Sequence, residues 1–133
     1  MQYWILKTEP ETFSFDDLMK KDAEMWDGVR NYQARNNLRQ MQSGDLCLIY
    51  HSGKEKGVTG LARIVKTAYP DPTADSNQWV CVDVAPVHPL PFYSLEDIKN
   101  NPELKDIGLL KQSRLSVIPV SEIHFNILSG QQA

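Results

Sequence analysis

Apolar and polar positions along this chain fall into short blocks bounded by turn-forming residues. Tyr3-Trp4-Ile5-Leu6 is an aromatic and aliphatic run that stops at Thr8-Glu9-Pro10, where proline bars continuation of a ladder, so it predicts a short first strand. Ser14-Phe15-Asp16-Asp17 places an acid three residues after a capping serine and predicts a helix running through Met19. Residues 31–41 predict a second helix with Tyr32, Leu38 and Met41 as apolar contacts, ended by Ser43-Gly44-Asp45. Residues 45–51 and 57–67 are rich in Leu, Ile, Val and Tyr, and flank loop residues 52–56, which predicts a strand pair. The polar stretch 69–77, with Pro70 and Pro72, predicts a turn. Residues 79–87 predict another strand, Ser94-Leu95-Glu96-Asp97 a capped short helix, and 115–120 a last strand before Ser121-Glu122-Ile123.

Strands outnumber helices here, and no regular alternation of the two suggests a doubly wound parallel sheet. The pattern predicts an α+β fold, a small, partly open β-barrel with helices over its ends. No repeat, low-complexity tract or linker interrupts it, and 133 residues is the usual size of one domain, so a single domain over 1–133 is expected.

Composition narrows the function classes. The apolar fraction of 41% and charged fraction of 23% are ordinary for a globular chain and argue against disorder. The longest apolar runs, such as 117–120, are far too short to span a bilayer. The start of the chain meets Lys7, Glu9 and Glu11 without a continuous apolar stretch, unlike a signal peptide, so a cytoplasmic protein with no membrane partner is expected. Cys47 and Cys81 lie in apolar, β-branched segments and are expected to be buried, reduced thiols. A formal charge of −3 argues against indiscriminate gripping of a phosphate backbone, so any nucleic-acid contact must be local.

The densest chemistry is Trp26-Asp27-Gly28-Val29-Arg30-Asn31-Tyr32-Gln33-Ala34-Arg35-Asn36-Asn37, running from a loop into the second helix. Trp offers a face for base stacking, Asn a donor and an acceptor for a base edge, and Arg a fork for phosphate. Arg35 and Arg39 share a helix face, with Arg30 near its start, forming a local basic patch. The same block also reads as a tryptophan core anchor followed by a solvated helix face. As a cage wall, Trp26 would be partly exposed in an empty pocket. Tyr50-His51-Ser52 closes a strand where its side chains would line a barrel mouth, although a histidine at a strand end more often makes a structural hydrogen bond. His51, His88 and His124 have no companions at metal-ligand spacing, and neither a G-x-S-x-G elbow nor a P-loop is present. No metal, cofactor or catalytic residue is predicted.

These residues carry a resemblance. Lys7-Thr8-Glu9-Pro10, the block from Trp26 to Asn36, Gly44-Asp45-Leu46, Tyr50-His51-Ser52, Tyr69-Pro70-Asp71-Pro72-Thr73, Arg114-Leu115-Ser116-Val117 and Pro119-Val120 resemble the EVE domain family over nearly the whole chain. Thr8 departs from the commoner serine: it keeps the hydroxyl and adds a methyl group. The resemblance implies a PUA-like fold, similar to the YTH readers of methylated adenine. It implies that Trp26 is a cage wall and that Ser113-Arg114 lies near a pocket floor. EVE-type proteins are implicated in binding modified bases, including modified cytosines in DNA, and some are fused to restriction machinery. The Gly-x-Lys-x-x-Glu-x-Arg signature of the related ASCH group is absent.

Residue chemistry and resemblance together predict a non-enzymatic module that binds one modified base of DNA or RNA in an aromatic-lined pocket. The expected pocket draws Thr8 and Ser52 hydroxyls, the Asn31 amide, Trp26 with Tyr32 or Tyr69 as stacking faces, and Leu115 as an apolar surface. Tyr50, His51, Arg114 and Ser116 complete it, while Arg30, Arg35 and Arg39 face the nucleic-acid backbone. Two alternatives stand beside this one: an enzyme acting on a nucleotide with Glu9, Asp27 or His51 as acid or base, and a protein-interaction module.

Overall fold

Side-chain caps set most of the helix starts. Ser14, Asn31, Ser94 and Ser121 accept hydrogen bonds from the amides of Asp17, Ala34, Asp97 and His124, which satisfies donors that a helix leaves orphaned at its start. At Ser14 the box is reciprocal, since the Asp17 carboxylate accepts from the serine amide at 2.9 Å. The helices they begin are α1 (Phe15–Met19), α2 (Tyr32–Gln40), α3 (Leu95–Asn100) and α5 (Glu122–Ser129), with α4 (Gly108–Lys111) between the last two. A computed structural model describes residues 1–130.

Six strands form one mixed sheet in the order β2-β5-β4-β3-β1-β6. They are β1 (Tyr3–Thr8), β2 (Glu24–Trp26), β3 (Leu46–His51), β4 (Gly57–Pro70), β5 (Val80–Ser94) and β6 (Val117–Val120). β1 and β3 run parallel, and the remaining pairs are antiparallel. The long β4–β5 pair shifts register at four places, and bulges of that kind bend a sheet and increase its twist. The bending has a visible consequence. In a flat sheet β2 would lie four strand spacings, roughly 19 Å, from β1. Here residues of both line one cleft. The sheet curls toward a barrel and is not closed, because no ladder joins β2 to β6.

Both faces of the sheet are covered, since Ile5 and Leu6 of β1 and Leu48 and Ile49 of β3 point to opposite faces and are all fully buried, as are Leu38, Ile64, Ile98 and Leu104. Phe15 of α1 lies directly on the β4 backbone at Gly60, where an added Cβ would come within 2.4 Å of the ring. Cys47 and Cys81 are buried and unpaired. Among the described residues no helix is long and apolar enough to cross a membrane.

Three features depart from the sequence pattern. β4 runs on to Pro70 and β5 to Ser94, so Tyr69 is a strand residue paired with Cys81, and the predicted turn is confined to the segment between Pro70 and Val80. The three-residue strand β2 pairs with β5 at the sheet edge. Helix α5 follows β6, and its Phe125 stacks on Tyr3 with centroids 4.4 Å apart.

Candidate functional site

Because β1 and β3 are parallel, they end side by side, with Lys7 opposite Tyr50 and Thr8 opposite His51. Space beyond the carboxyl ends of parallel strands is where open sheets usually bind ligands. The chain leaving β1 is turned back at once. The Thr12 and Phe13 amides donate to the Glu9 carbonyl, the Thr8 hydroxyl donates to the Phe13 carbonyl at 2.6 Å, and the Ser52 amide donates to the Thr8 carbonyl. This turn aims the Phe13 ring at Trp26 on β2, with centroids 6.1 Å apart and planes at 80°.

The two rings touch edge to face and form part of the wall of a cleft of about 290 Å³. Lys7, Thr8 and Phe13 line one side and Met25, Trp26 and Asp27 the other, with Glu9, Thr12 and Glu24 completing the lining. Its volume sits at the low end of the about 300–1,000 Å³ usual for ligand pockets. Trp26 is 8% exposed, less than a free cage wall would be, and it belongs to the hydrophobic core as well as to the cleft. The core-anchor role and the cleft role therefore fall on the same residue.

The cleft is rich in hydrogen-bond acceptors. Three acidic residues, Glu9, Glu24 and Asp27, line it, and the ammonium of Lys7, its one basic lining residue, is engaged outside it. Glu24 pairs with Lys21 at 3.4 Å and Glu9 accepts from the Glu11 amide at 2.9 Å. Among the described residues no donor meets the Asp27 carboxylate. The Thr8 proton is committed to the Phe13 carbonyl, so that hydroxyl faces a ligand as an acceptor. Burial lowers the Lys7 pKa from its ordinary value. Its ammonium donates to the Ser113 carbonyl at 2.7 Å and lies 5.7 Å from the Tyr50 ring centroid. Such a lining disfavours phosphate and suits a neutral ring that presents N–H donors.

Lys7 joins three of the four predicted pieces of the site and shares the cleft lining with Trp26 of the fourth. Its amide donates to the Ser116 carbonyl at 3.0 Å, its side chain reaches Ser113, and its ladder partner is Tyr50. The loop after β1, the Trp26 turn, the Tyr50-His51-Ser52 strand end and the 113–116 segment thus lie at one end of the sheet. They form adjoining hollows rather than one chamber. Asn31, Arg114 and Leu115 line a second hollow of about 290 Å³, and Tyr50 and Ser52 line a third of about 320 Å³. Asn31 spends its side-chain oxygen on the Ala34 amide as the α2 cap. His51 lies outside the cleft: its Nε2 accepts from the Phe15 amide at 3.0 Å, an orphan donor of α1. Burial lowers its pKa against the opposing pull of Asp16 and Glu9, the direction that favours an unprotonated, accepting Nε2.

Tyr32 and Tyr69 do not reach the cleft. Tyr69 points from β4 to Asp83, to which its hydroxyl donates, and the Lys66 ammonium sits 4.0 Å over its ring. Tyr32 is 59% exposed on α2 and stacks on Trp79. Of the expected stacking faces, only Trp26 lies in the cleft. Phe13 is the second aromatic residue of its lining, and sequence reasoning missed it because an apolar residue just before a helix cap reads as a packing residue. Lys7 was visible as part of the family motif, and Glu9 as part of that motif and as an acid or base of the enzyme alternative.

The Trp26–Asn31 turn is fixed from beneath. Gly28 has a φ of +81°, a conformation glycine adopts without a Cβ penalty. Its amide donates to the buried Asp71 carboxylate at 2.8 Å, and Arg30 Nη1 meets the same oxygen at 3.0 Å. Burial would raise the Asp71 pKa, but the Thr73 hydroxyl, the Gly28 and Thr73 amides and Arg30 outweigh it and hold the carboxyl at about 2. Arg30 also donates to the Thr73 hydroxyl, so its guanidinium is largely committed within the protein. Arg35 and Arg39 remain on the surface, each directed at the Gln78 carbonyl at 3.5 and 3.3 Å. Among the described residues no group of three or more His, Cys, Asp or Glu side chains is placed to hold a metal ion.

The chain is similar to known proteins over nearly its whole length. The EVE domain model matches residues 2–131. Thymocyte nuclear protein 1 of Mus musculus is 37% identical over 95% of this chain and 71% of its own length. A protein from Agrobacterium tumefaciens, 38% identical, superposes with a TM-score of 0.95 over 98% of this chain and 92% of that one. The human THYN1 protein in complex with 5-methylcytosine-containing DNA is 34% identical and superposes with a TM-score of 0.91, over 98% of this chain and 97% of that one.

Proposed function

The chain belongs to the EVE domain family, and from that membership we propose that it is a binding module which takes one modified base of DNA into the cleft lined by Phe13 and Trp26. The observation that carries this reading is the cleft itself: two aromatic side chains and an acceptor-rich rim around a space of about 290 Å³. A base entering it exchanges stacking in the polymer for contact with the two rings. Its exocyclic amino group meets the unpartnered Asp27 carboxylate, the pairing that carboxylates make with cytosine N4. Phosphates stay outside, where Arg35 and Arg39 lie, and the acidic cleft keeps them there. The human relative's complex with 5-methylcytosine-containing DNA supports a methylated cytosine as the base.

No catalytic step is assigned. The committed Nε2 of His51 removes one general base that an enzyme reading would use. Stacking is worth roughly 1–3 kcal/mol per base, so a single caged base with a few phosphate contacts gives an affinity on the order of micromolar to millimolar. The decisive experiment is a binding titration of the purified protein with single-stranded and duplex DNA carrying cytosine or 5-methylcytosine, alongside the free nucleosides. A preference for the methylated base in both polymer and nucleoside supports the proposal, and equal affinity for both bases overturns it.

A further inference from the structure

A second aromatic feature stands outside the cleft, and the core does not require it. Tyr32, at the first position of α2, is 59% exposed, and its ring stacks on Trp79 with centroids 5.1 Å apart and planes within 27°. Neither ring belongs to the buried cluster. Arg35 Cζ lies 5.0 Å from the Tyr32 centroid and 5.8 Å from that of Trp79. With the ring-to-ring distance these make a nearly equilateral triangle, so the guanidinium sits beside the pair and leaves the outer face of Tyr32 uncovered. Arg30 Cζ lies 5.9 Å from Trp79 on the same feature. In a chain of net charge −3, Arg30, Arg35 and the nearby Arg39 thus gather around one two-ring stack.

Aromatic faces edged by guanidinium groups are what sequence-tolerant single-strand binding uses: the ring takes a base, and the cations hold the phosphates on either side. The feature is rigidly tied to the cleft. The turn that carries Trp26 leads through Gly28 and Arg30 into Tyr32, and Asp71 clamps it at both of the first two points. We propose that the outer face of Tyr32, backed by Trp79, is a stacking platform for an unpaired base of the same strand, beside the nucleotide held in the cleft. This rests on the base-binding reading of the cleft. The platform's ligand is an unpaired segment, since a paired base has no free face to offer.

The test uses single-stranded oligonucleotides with one central 5-methylcytosine and a single abasic residue moved through the neighbouring positions. The platform predicts one position at which the abasic residue weakens binding by roughly five- to a hundred-fold, the range that loss of one stacked base gives. Tyr32→Ala should cause the same loss on the intact strand and no further loss on that abasic strand, while Tyr32→Phe retains affinity. Thermal unfolding confirms that the exposed Tyr32 variants fold. Uniform affinity along the abasic series, or additive losses from Tyr32→Ala and the abasic residue, overturns the platform. Discrimination of 5-methylcytosine from cytosine reads the cleft separately: its absence together with an abasic-dependent Tyr32 effect sinks the cleft reading and keeps the platform. Failure to bind any of these strands sinks both.

Discussion

The Arg30 guanidinium lies 3.0 Å from the Asp71 carboxylate, and the same carboxylate oxygen takes the Gly28 amide at 2.8 Å. The turn bearing Trp26 is thereby fastened to the segment that follows β4. The two partners are not equivalent, since the Asp71 side chain is fully buried and that of Arg30 is 38% exposed. Asp71→Asn leaves buried donors facing an amide and is expected to cost about 3 kcal/mol. Arg30→Ala leaves the carboxylate with three protein donors and is expected to cost about 1 kcal/mol. Urea denaturation of the two variants checks the order, and equal losses would show that the guanidinium dominates the clamp.

Acid should loosen the same clamp. The Asp71 pKa is held at about 2, below its ordinary value of 3.8, so its contribution is fully present above pH 4 and lost as pH falls through 2. That difference corresponds to about 2 kcal/mol of stability. Unfolding free energies measured between pH 5 and pH 2 should fall less steeply in Asp71→Asn than in the wild type. Parallel curves would mean that other carboxylates carry the acid response.

Trp26→Ala should remove base binding and also destabilise the fold, by about 3–5 kcal/mol, because the ring is 8% exposed and packed in the core. Trp26→Phe keeps an aromatic face and most of the packing, so it should fold and retain part of the binding. Denaturant midpoints and nucleoside titrations on both variants separate the two roles. A folded Trp26→Phe protein with unchanged nucleoside affinity would assign the ring to the core alone.

Local signals made the capped helix starts and the first strand legible, because Ser14, Asn31 and Ser94 act through residues three positions away. What lay beyond local signals was hidden. β2 has three residues and owes its existence to β5. β5 continues through Pro86, Pro89 and Pro91, residues that normally end a strand, because bulges absorb their missing donors. In α5, Ile123, Phe125 and Ile127 alternate with polar residues and read as readily as a strand. At the site, Thr8 and Trp26 stood out by type, and the structure places both in the cleft. Tyr32 and Tyr69 were equally conspicuous, but helix face and strand register direct them to Trp79 and Asp83. Phe13 matters only because the sheet curls, which no spacing along the chain reveals.

Asp27 gives a sharper test of what the cleft reads. Its carboxylate meets no donor among the described residues and is assigned the exocyclic amino group of the base. Asp27→Asn keeps the size but replaces one acceptor oxygen with a donor, and should weaken binding of 5-methylcytidine by about 1–3 kcal/mol. 5-methyluridine, which carries an acceptor at the same ring position, should lose nothing or gain. Competition titrations with the two nucleosides check this, and equal losses for both would remove Asp27 from base discrimination.

Arg35 and Arg39 should act on the polymer and not on the base. Both are directed at the Gln78 carbonyl at 3.3–3.5 Å, distances that mark weak tethers a phosphate can displace, and Arg35 also donates to the exposed Asn36 side-chain oxygen at 2.9 and 3.2 Å. Each phosphate contact on a single strand contributes about 0.7 to the slope of log K against log salt. Arg39→Ala should therefore weaken oligonucleotide binding and lower that slope by about 0.7, while leaving nucleoside affinity unchanged. Arg35→Ala should do the same and lose somewhat more, because this guanidinium also flanks the Tyr32 ring at 5.0 Å. Arg30→Ala should change the slope least, since its guanidinium is already engaged by Asp71 and Thr73. Salt titrations of the three variants on one oligonucleotide yield that order directly. If Arg30→Ala produced the largest drop in slope, the strand would cross the clamp itself, and the assignment of the phosphates to Arg35 and Arg39 would be wrong.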